Sequence, residues 1–140
     1  MIELVVGEKG KGKTKMLMAK ANNDIKITGG NIVYLDINNK HMYELSNRVR
    51  LINVPEYHIC SADMFIGFIY GIASQDHDLD CMFLDNFMSI SCIDSVEDAD
   101  RLIKEISAIS EMFEIDFVIG ISIRKQELTP YLQDLVAVAL

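Results

Sequence analysis

Eight consecutive residues near the start of the chain have the composition of a phosphate-binding loop. Residues 7–14 read GEKGKGKT and fit the pattern G-x-x-x-x-G-K-[ST] without a mismatch, directly after the apolar run 2–6. In such a loop the glycines let backbone N–H groups point inward around a β-phosphate, and the helix that begins there adds its positive dipole end. The pattern predicts that Lys13 reaches the β- and γ-phosphates and that the Thr14 hydroxyl binds Mg²⁺. The predicted nucleotide-contacting residues are Gly7, Glu8, Lys9, Gly10, Lys11, Gly12, Lys13, Thr14 and Lys15.

A second candidate for metal chemistry follows a later apolar run. Residues 81–84 are apolar and Asp85 comes directly after them, which is the Walker B pattern. In this pattern the carboxylate holds the Mg²⁺ of a bound nucleotide, through a water or together with Thr14. The alternative interpretation is an ordinary aspartate at the end of a strand. The predicted metal-binding residues are therefore Thr14 and Asp85.

Strands and helices alternate along the chain in an order that could position these residues. Apolar, β-branched runs predict strands at 2–6, 31–37, 51–54, 81–84, 117–123 and 135–140. Helices are predicted from the end of the 7–14 loop to about 22–24, from 62 to 74 with Ser61 as N-cap, and from 96 to 113. Gly67 and Gly71 predict close packing of the middle helix on the sheet. We expect a single α/β domain over residues 1–140, a three-layer α/β/α sandwich with a mainly parallel sheet.

The composition of the chain weighs against nucleic-acid and membrane partners. The 140 residues carry a net charge of −8, which weighs against a broad nucleic-acid groove, because such grooves depend on clustered Lys and Arg. Five of the thirteen basic residues lie between Lys9 and Lys20, where they would serve a triphosphate. The three cysteines form no C-x-x-C pair, and no apolar run approaches the roughly 20 residues that cross a bilayer. These features predict a cytoplasmic protein with no membrane partner.

Four segments in order give the chain a resemblance to a branch of P-loop proteins. They are the 7–14 loop, the strand 32–36, the segment 84–88 and the strand 117–123 followed by Arg124 and Lys125. In this order the chain resembles the RecA/DnaB-like core of the additional-strand class of P-loop NTPases. The resemblance implies that Lys13, Thr14 and Asp85 act on Mg·ATP. It also implies that Ser122 lies near a γ-phosphate sensor position and that Arg124 or Lys125 approaches a phosphate in its own or a neighbouring subunit; a loop start with a solvated arginine is the alternative.

The departures from that family concern the catalytic acid. RecA-like ATPases place a glutamate shortly after the second strand, and related ATPases place one directly after Walker B; this chain has Asp36 and Asn86 there. Without a carboxylate aligned on the attacking water, general-base assistance of roughly 10²–10⁴-fold is lost. Asp36 is a candidate substitute, as is Glu44, although Asp36 could equally cap the next turn. The predicted catalytic residues are Lys13, Asp36 and Arg124.

These residues favour an ATP-binding, Mg²⁺-dependent protein whose hydrolysis is slow or depends on a partner. A small-molecule kinase of the nucleoside type is the first alternative, although the chain lacks the extra glutamate and zinc-bearing segment of thymidine-kinase-like enzymes. A non-hydrolysing adaptor domain is the second alternative. A homo-oligomer or a protein partner is possible, since edge strands of a small sheet can recruit one.

Overall fold

The computed structural model describes residues 1–140 as an α/β protein built on a six-stranded sheet. The strands are β1 (Ile2–Val6), β2 (Asn31–Asp36), β3 (Arg50–Asn53), β4 (Leu79–Leu84), β5 (Asp116–Ile121) and β6 (Val136–Ala139). The helices are α1 (Lys13–Ile27), α2 (Ala62–Gln75), α3 (Phe87–Ile90), α4 (Val96–Phe113) and α5 (Pro130–Gln133). Short 3₁₀ turns span Val54–Tyr57 and Lys125–Glu127. The predicted alternation of strands and helices is confirmed.

All pairs of neighbouring strands are parallel, and the strand order is β3-β2-β4-β5-β1-β6. β5 therefore lies between β1, which precedes the 7–14 loop, and β4, which precedes Asp85. Because every strand runs the same way, the carboxyl ends of β1, β2, β4 and β5 meet at one edge of the sheet. That edge carries most of the residues singled out in the sequence.

Both faces of the sheet are covered, which gives the three-layer arrangement. Side chains alternate along β1, so that Leu4 and Val6 belong to one buried cluster and Val5 to the other. The larger cluster packs the sheet against α2 and α4, and the smaller one packs it against α1 and the buried Leu45 and Val49. Strands buried on both faces explain the nearly continuous apolar runs in the sequence.

Two predicted helix starts are confirmed by their caps. The Ser61 hydroxyl accepts a hydrogen bond from the backbone N–H of Met64, and the Ser95 hydroxyl accepts one from Asp98. Each cap satisfies one of the backbone donors that a helix start leaves unpaired.

The predicted end of α1 near residues 22–24 is wrong, because the helix continues to Ile27. Ala21 and Ile25 are buried against the sheet and extend the apolar face of the helix by one more turn. Asn22 does not compete with the helix backbone, since its side chain donates to the Glu44 carbonyl and accepts from the Ser46 N–H. Tertiary partners thus override the tendency of this polar stretch to end a helix.

The predicted role of Gly67 and Gly71 is also wrong. Both glycines are exposed, and a Cβ atom at either position would meet nothing within 4 Å. The buried face of α2 consists of Phe65, Ile69 and Ala73, at spacings of four residues. No helix of the structure combines the length and apolar character needed to cross a membrane.

Candidate functional site

A polar cavity of about 420 Å³ lies at the carboxyl edge of the sheet. It is bounded by the 7–14 loop after β1, Asp36 at the end of β2, Asp85 after β4 and Ser122 after β5. Of its 14 lining residues only Ile37 is hydrophobic. Such a lining suits a charged, strongly hydrated ligand better than an apolar one.

The conformation of the 7–14 loop depends on its three glycines, all of which have a positive φ. Gly12 is the N-cap of α1 and has φ 94°, a left-handed conformation that other residues rarely adopt. Gly7 has φ 148°, and a Cβ atom there would lie 2.8 Å from the Leu140 carbonyl oxygen. The loop therefore delivers the amino end of a 15-residue helix to the cavity, where its unpaired N–H groups and dipole favour an anion.

Lys13, the first residue of α1, bonds back to the start of the 7–14 loop. Its Nζ donates hydrogen bonds to the Gly7 carbonyl at 2.8 Å and to the Glu8 carbonyl at 2.9 Å, and the residue is only 8% exposed. Burial lowers the pKa of the Lys13 ammonium, while the nearby Asp85 opposes that shift. The cavity thus contains a positioned cation whose present partners are neutral carbonyls.

The Asp85 carboxyl group is buried and fixed at both oxygens. Its Oδ2 accepts a 2.9 Å hydrogen bond from the Tyr34 hydroxyl, and its Oδ1 accepts one of 2.9 Å from the Asn86 backbone N–H. Burial, and after it the charge of Asp85, raises the pKa of the Tyr34 phenol well above its ordinary value. Tyr34 therefore acts as a neutral donor, and its ring stacks on Phe83 with centroids 5.8 Å apart.

Asn86 joins the two acids of the cavity. Its backbone N–H donates to Asp85, while its side-chain Nδ2 donates to Oδ1 of Asp36 at 2.9 Å. The same oxygen of Asp36 accepts a 2.7 Å bond from the Ile37 N–H. Burial is the main cause that raises the pKa of the Asp36 carboxyl, and the charge of Asp85 adds to it. Asn86 thus orients both Asp36 and Asp85 from the position that directly follows Asp85.

The structure brings together most of the residues predicted from sequence. Those that line the cavity are Lys9, Gly10, Gly12, Lys13, Thr14, Asp36 and Asp85, together with Ser122. Gly7 and Glu8 lie outside the lining but contribute through their carbonyl bonds to Lys13. Lys11 and Lys15 are exposed outside the lining. Glu44 also lies outside it and contacts His41, which does line the cavity.

Arg124 does not line the cavity. Its Nε lies 2.9 Å from Oε1 of Glu127 and 3.5 Å from Oε1 of Glu8, and the side chain is half exposed. It is therefore tied to the outer side of the 7–14 loop by a surface ion pair. In this arrangement the guanidinium is occupied by carboxylates of its own chain.

Sequence reasoning missed three contributors to the cavity. Tyr34 lies in the buried strand β2, where the hydroxyl of a tyrosine needs a hydrogen-bond partner. Asn86 was noted only for not being a glutamate. Gly120, the fifth of the six residues of β5, permits close approach, because a Cβ there would lie 3.3 Å from Leu17 Cδ1 and 3.4 Å from Asp85 Oδ1. A glycine inside a strand is a signal for such an approach.

The oxygen donors of the cavity fit a small, hard cation. Thr14 supplies a hydroxyl, and Asp85 and Asp36 supply carboxyl oxygens, which are the ligand types that Mg²⁺ prefers. No group of three or more His, Cys, Asp or Glu side chains in the chain could hold a metal ion. A cation here would therefore take part of its coordination from water and from the oxygens of a bound ligand, as Mg²⁺ in nucleotide sites commonly does.

No protein-family model matches the chain, and no curated protein matches it.

Proposed function

We propose that the chain binds Mg·ATP in the cavity at the carboxyl edge of the sheet. The observation that carries the proposal is the position of Lys13. Its ammonium is buried at the amino end of α1, bonded to two carbonyls of the 7–14 loop, with Asp85 close enough to oppose the lowering of its pKa. Cation, backbone donors and acid converge on one polar space, as a phosphate group bound with a metal requires.

Each residue has a role in this proposal that follows from its chemistry. Backbone N–H groups of the 7–14 loop and the dipole of α1 bind phosphate oxygens, and Lys13 exchanges its carbonyl partners for charged ones. Thr14 and Asp85 hold Mg²⁺, which when bound neutralises charge on the β- and γ-phosphate oxygens. Tyr34 and Asn86 keep the Asp85 carboxyl oriented toward the cavity.

We propose that hydrolysis is slow, or depends on a partner. In the reaction, water attacks the γ-phosphorus, the bond to the β–γ bridging oxygen breaks, and a proton passes from the water to a base. In this proposal the Asp36 carboxylate, which lines the cavity, accepts the proton of the water. Burial raises the pKa of Asp36 toward the range in which a general base works best. Its Oδ1 is already occupied by Ile37 and Asn86, so only Oδ2 remains for the water.

The P-loop fold and the RecA-like resemblance belong to the same proposal. They are supported by β5, which stands between β1 and β4 as expected for the additional-strand class. A reducing, cytosolic compartment is supported by the three cysteines, which are all free.

The test is binding of Mg·ATP measured by calorimetry, with Lys13→Ala as the decisive variant. We expect the wild type to bind and Lys13→Ala to lose at least tenfold in affinity, whereas Lys26→Ala, in the last turn of the same helix, leaves binding unchanged. Absence of binding by the wild type, or equal binding by Lys13→Ala, would refute the proposal. Phosphate release without an acceptor separates a hydrolase from a kinase, which turns over only with a nucleoside acceptor. Binding with neither activity would identify a non-hydrolysing adaptor.

A further inference from the structure

A second concave surface lies along the edge strand β3, away from the Lys13 cavity. It encloses about 670 Å³ and is lined by 11 residues, six of them hydrophobic. Alternate residues of the chain segment through β3 face it, namely Arg48, Arg50 and Ile52, and Phe68 and Ile72 of α2 form the opposite wall. Tyr57 closes one end, with its ring centroid 5.5 Å from that of Phe68. We call this surface the β3 groove.

The charges of the β3 groove are unbalanced. The chain has four arginines: Arg101 is paired with Asp98, and Arg124 is paired with Glu127 and Glu8. Arg48 and Arg50, the other two, take part in no ion pair. Asp76, the one carboxyl group that lines the groove, accepts its hydrogen bonds from Asn31 and from the Asp78 N–H instead.

The backbone beside the groove is also unpaired on one side. β3 is an edge strand of the sheet, and it pairs with β2 alone. Its outward N–H and C=O groups can therefore accept one more strand, which is a known mode of peptide binding. Side chains of such a strand would face Arg50 and Ile52 as cross-strand neighbours.

We propose that the β3 groove binds an extended, acidic segment of another protein. The segment adds to the edge of β3, places carboxylates opposite Arg48 and Arg50, and places an apolar side chain against Ile52, Phe68 and Ile72. A second copy of this chain fits less well, because a two-fold pairing of β3 with itself would bring arginines near arginines. Nucleic acid fits less well, because a polynucleotide groove depends on a larger cluster of Lys and Arg than the two arginines of this groove. This inference does not depend on nucleotide binding.

A display library of random seven-residue peptides is selected for binding to the 140-residue chain. Enriched sequences are expected to carry Asp or Glu at two alternate positions next to an alternating apolar residue. A synthetic peptide of the enriched sequence should lose at least tenfold in affinity with Arg50→Gln and with Arg48→Gln, measured by fluorescence anisotropy. Arg101→Gln is the matched control on α4 and should stay within twofold of the wild type. In NMR spectra, the amides of Leu51 and Ile52 should shift on binding.

Several outcomes overturn the proposal. They include no enrichment, enrichment without the acidic alternation, and equal binding by Arg50→Gln. Displacement of the peptide by equimolar succinate or phosphate would indicate a site for small anions, and displacement by a twelve-residue thymidine oligonucleotide would indicate a nucleic-acid site. A solution mass of twice 15.8 kDa that reverts to the monomer with Arg50→Gln would show that a second copy occupies the groove.

Discussion

The hydroxyl of Tyr34 and the carboxyl group of Asp85 form a buried 2.9 Å hydrogen bond that links two neighbouring strands at the edge of the cavity. Tyr34 belongs to β2, and Asp85 follows β4. The bond fixes one oxygen of an acid that we propose binds Mg²⁺, while the other oxygen is fixed by the backbone of Asn86. Replacing the tyrosine tests whether this orientation matters.

Tyr34→Phe is expected to weaken Mg²⁺-dependent nucleotide binding more than binding without metal. The variant keeps the ring that stacks on Phe83 but removes the donor to Asp85 Oδ2. A buried group left without its partner costs about 1–3 kcal/mol, so the free energy of unfolding should fall by a comparable amount. Calorimetry with and without Mg²⁺ measures the first effect, and urea denaturation measures the second. Equal losses of affinity with and without metal would show that the bond has only a structural role.

Gly120→Ala is expected to destabilise the protein by about 1–3 kcal/mol, because an added methyl group overpacks a filled space. The new Cβ would lie 3.3 Å from Leu17 of α1 and 3.4 Å from Asp85 Oδ1, both in buried residues. Displacement of Asp85 should also weaken Mg²⁺-dependent binding.

The matched control is Gly71→Ala on the exposed side of α2, where a Cβ meets nothing within 4 Å. Removing a glycine from a helix interior there should stabilise the protein by about 0.5–1 kcal/mol. Thermal and urea unfolding of both variants provide the measurement. Similar behaviour of the two variants would contradict the interpretation of Gly120 as a point of close approach.

Asp36→Asn is expected to change how stability depends on pH. Burial raises the pKa of Asp36 above its ordinary value of 3.8, so the native state holds this proton more tightly than the unfolded state. The free energy of unfolding of the wild type should therefore decrease as pH rises from about 3.8 through the native pKa of Asp36. Asparagine keeps an oxygen acceptor but cannot ionise. The stability of Asp36→Asn relative to the wild type should increase across this range of pH and then level off.

Urea denaturation between pH 4 and 8 measures this difference, with the exposed Asp134→Asn as control. Parallel curves for Asp36→Asn and the wild type would show that Asp36 has the same pKa in both states. Saturating Mg·ATP should reduce the advantage of the variant, because a bound cation favours the ionised acid.

The three cysteines are expected to divide into two reactive thiols and one protected thiol. Cys60 and Cys92 are exposed, whereas Cys81 lies in β4 and is 8% exposed. Burial is the main cause that raises the pKa of the Cys81 thiol to about 12. At pH 8 only about 10⁻⁴ of a thiol with that pKa is thiolate, the reactive form. A thiol reagent should therefore modify two groups rapidly in the native protein and the third only after unfolding; in Cys81→Ser the slow phase should vanish.

The sequence predicted the layers of the fold because the strands are mostly apolar and two of the main helices carry Ser N-caps. It could not predict which side of α2 packs, since Met64, Phe68 and Ile72 are as apolar as the buried Phe65 and Ile69. Long-range partners decided the end of α1, where the side chain of Asn22 is engaged by residues 44 and 46.

The candidate site was predicted where chemistry requires a residue type at a fixed spacing, as for Gly12, Lys13 and Thr14. The residues that orient these groups follow no such spacing. Tyr34 and Asp85 are 51 positions apart, and Asn86 and Asp36 are 50 apart. Their contact follows from the pairing of β2 with β4, which no local pattern reveals.

The position of β1 in the sheet has a consequence for the order of folding. The two strands that pair with β1 are β5 and β6, which lie near the carboxyl end of the sequence. The N–H of Gly7, directly after β1, donates to the carbonyl of Ile123. β1 therefore has no partner strand on the ribosome until residues 116–121, which form β5, have emerged. Closing loops of this length is slow compared with forming local helices. Ligand binding by the 7–14 loop would accordingly report the final step of folding, and pulse-labelled amide exchange should find β1 among the last strands to become protected.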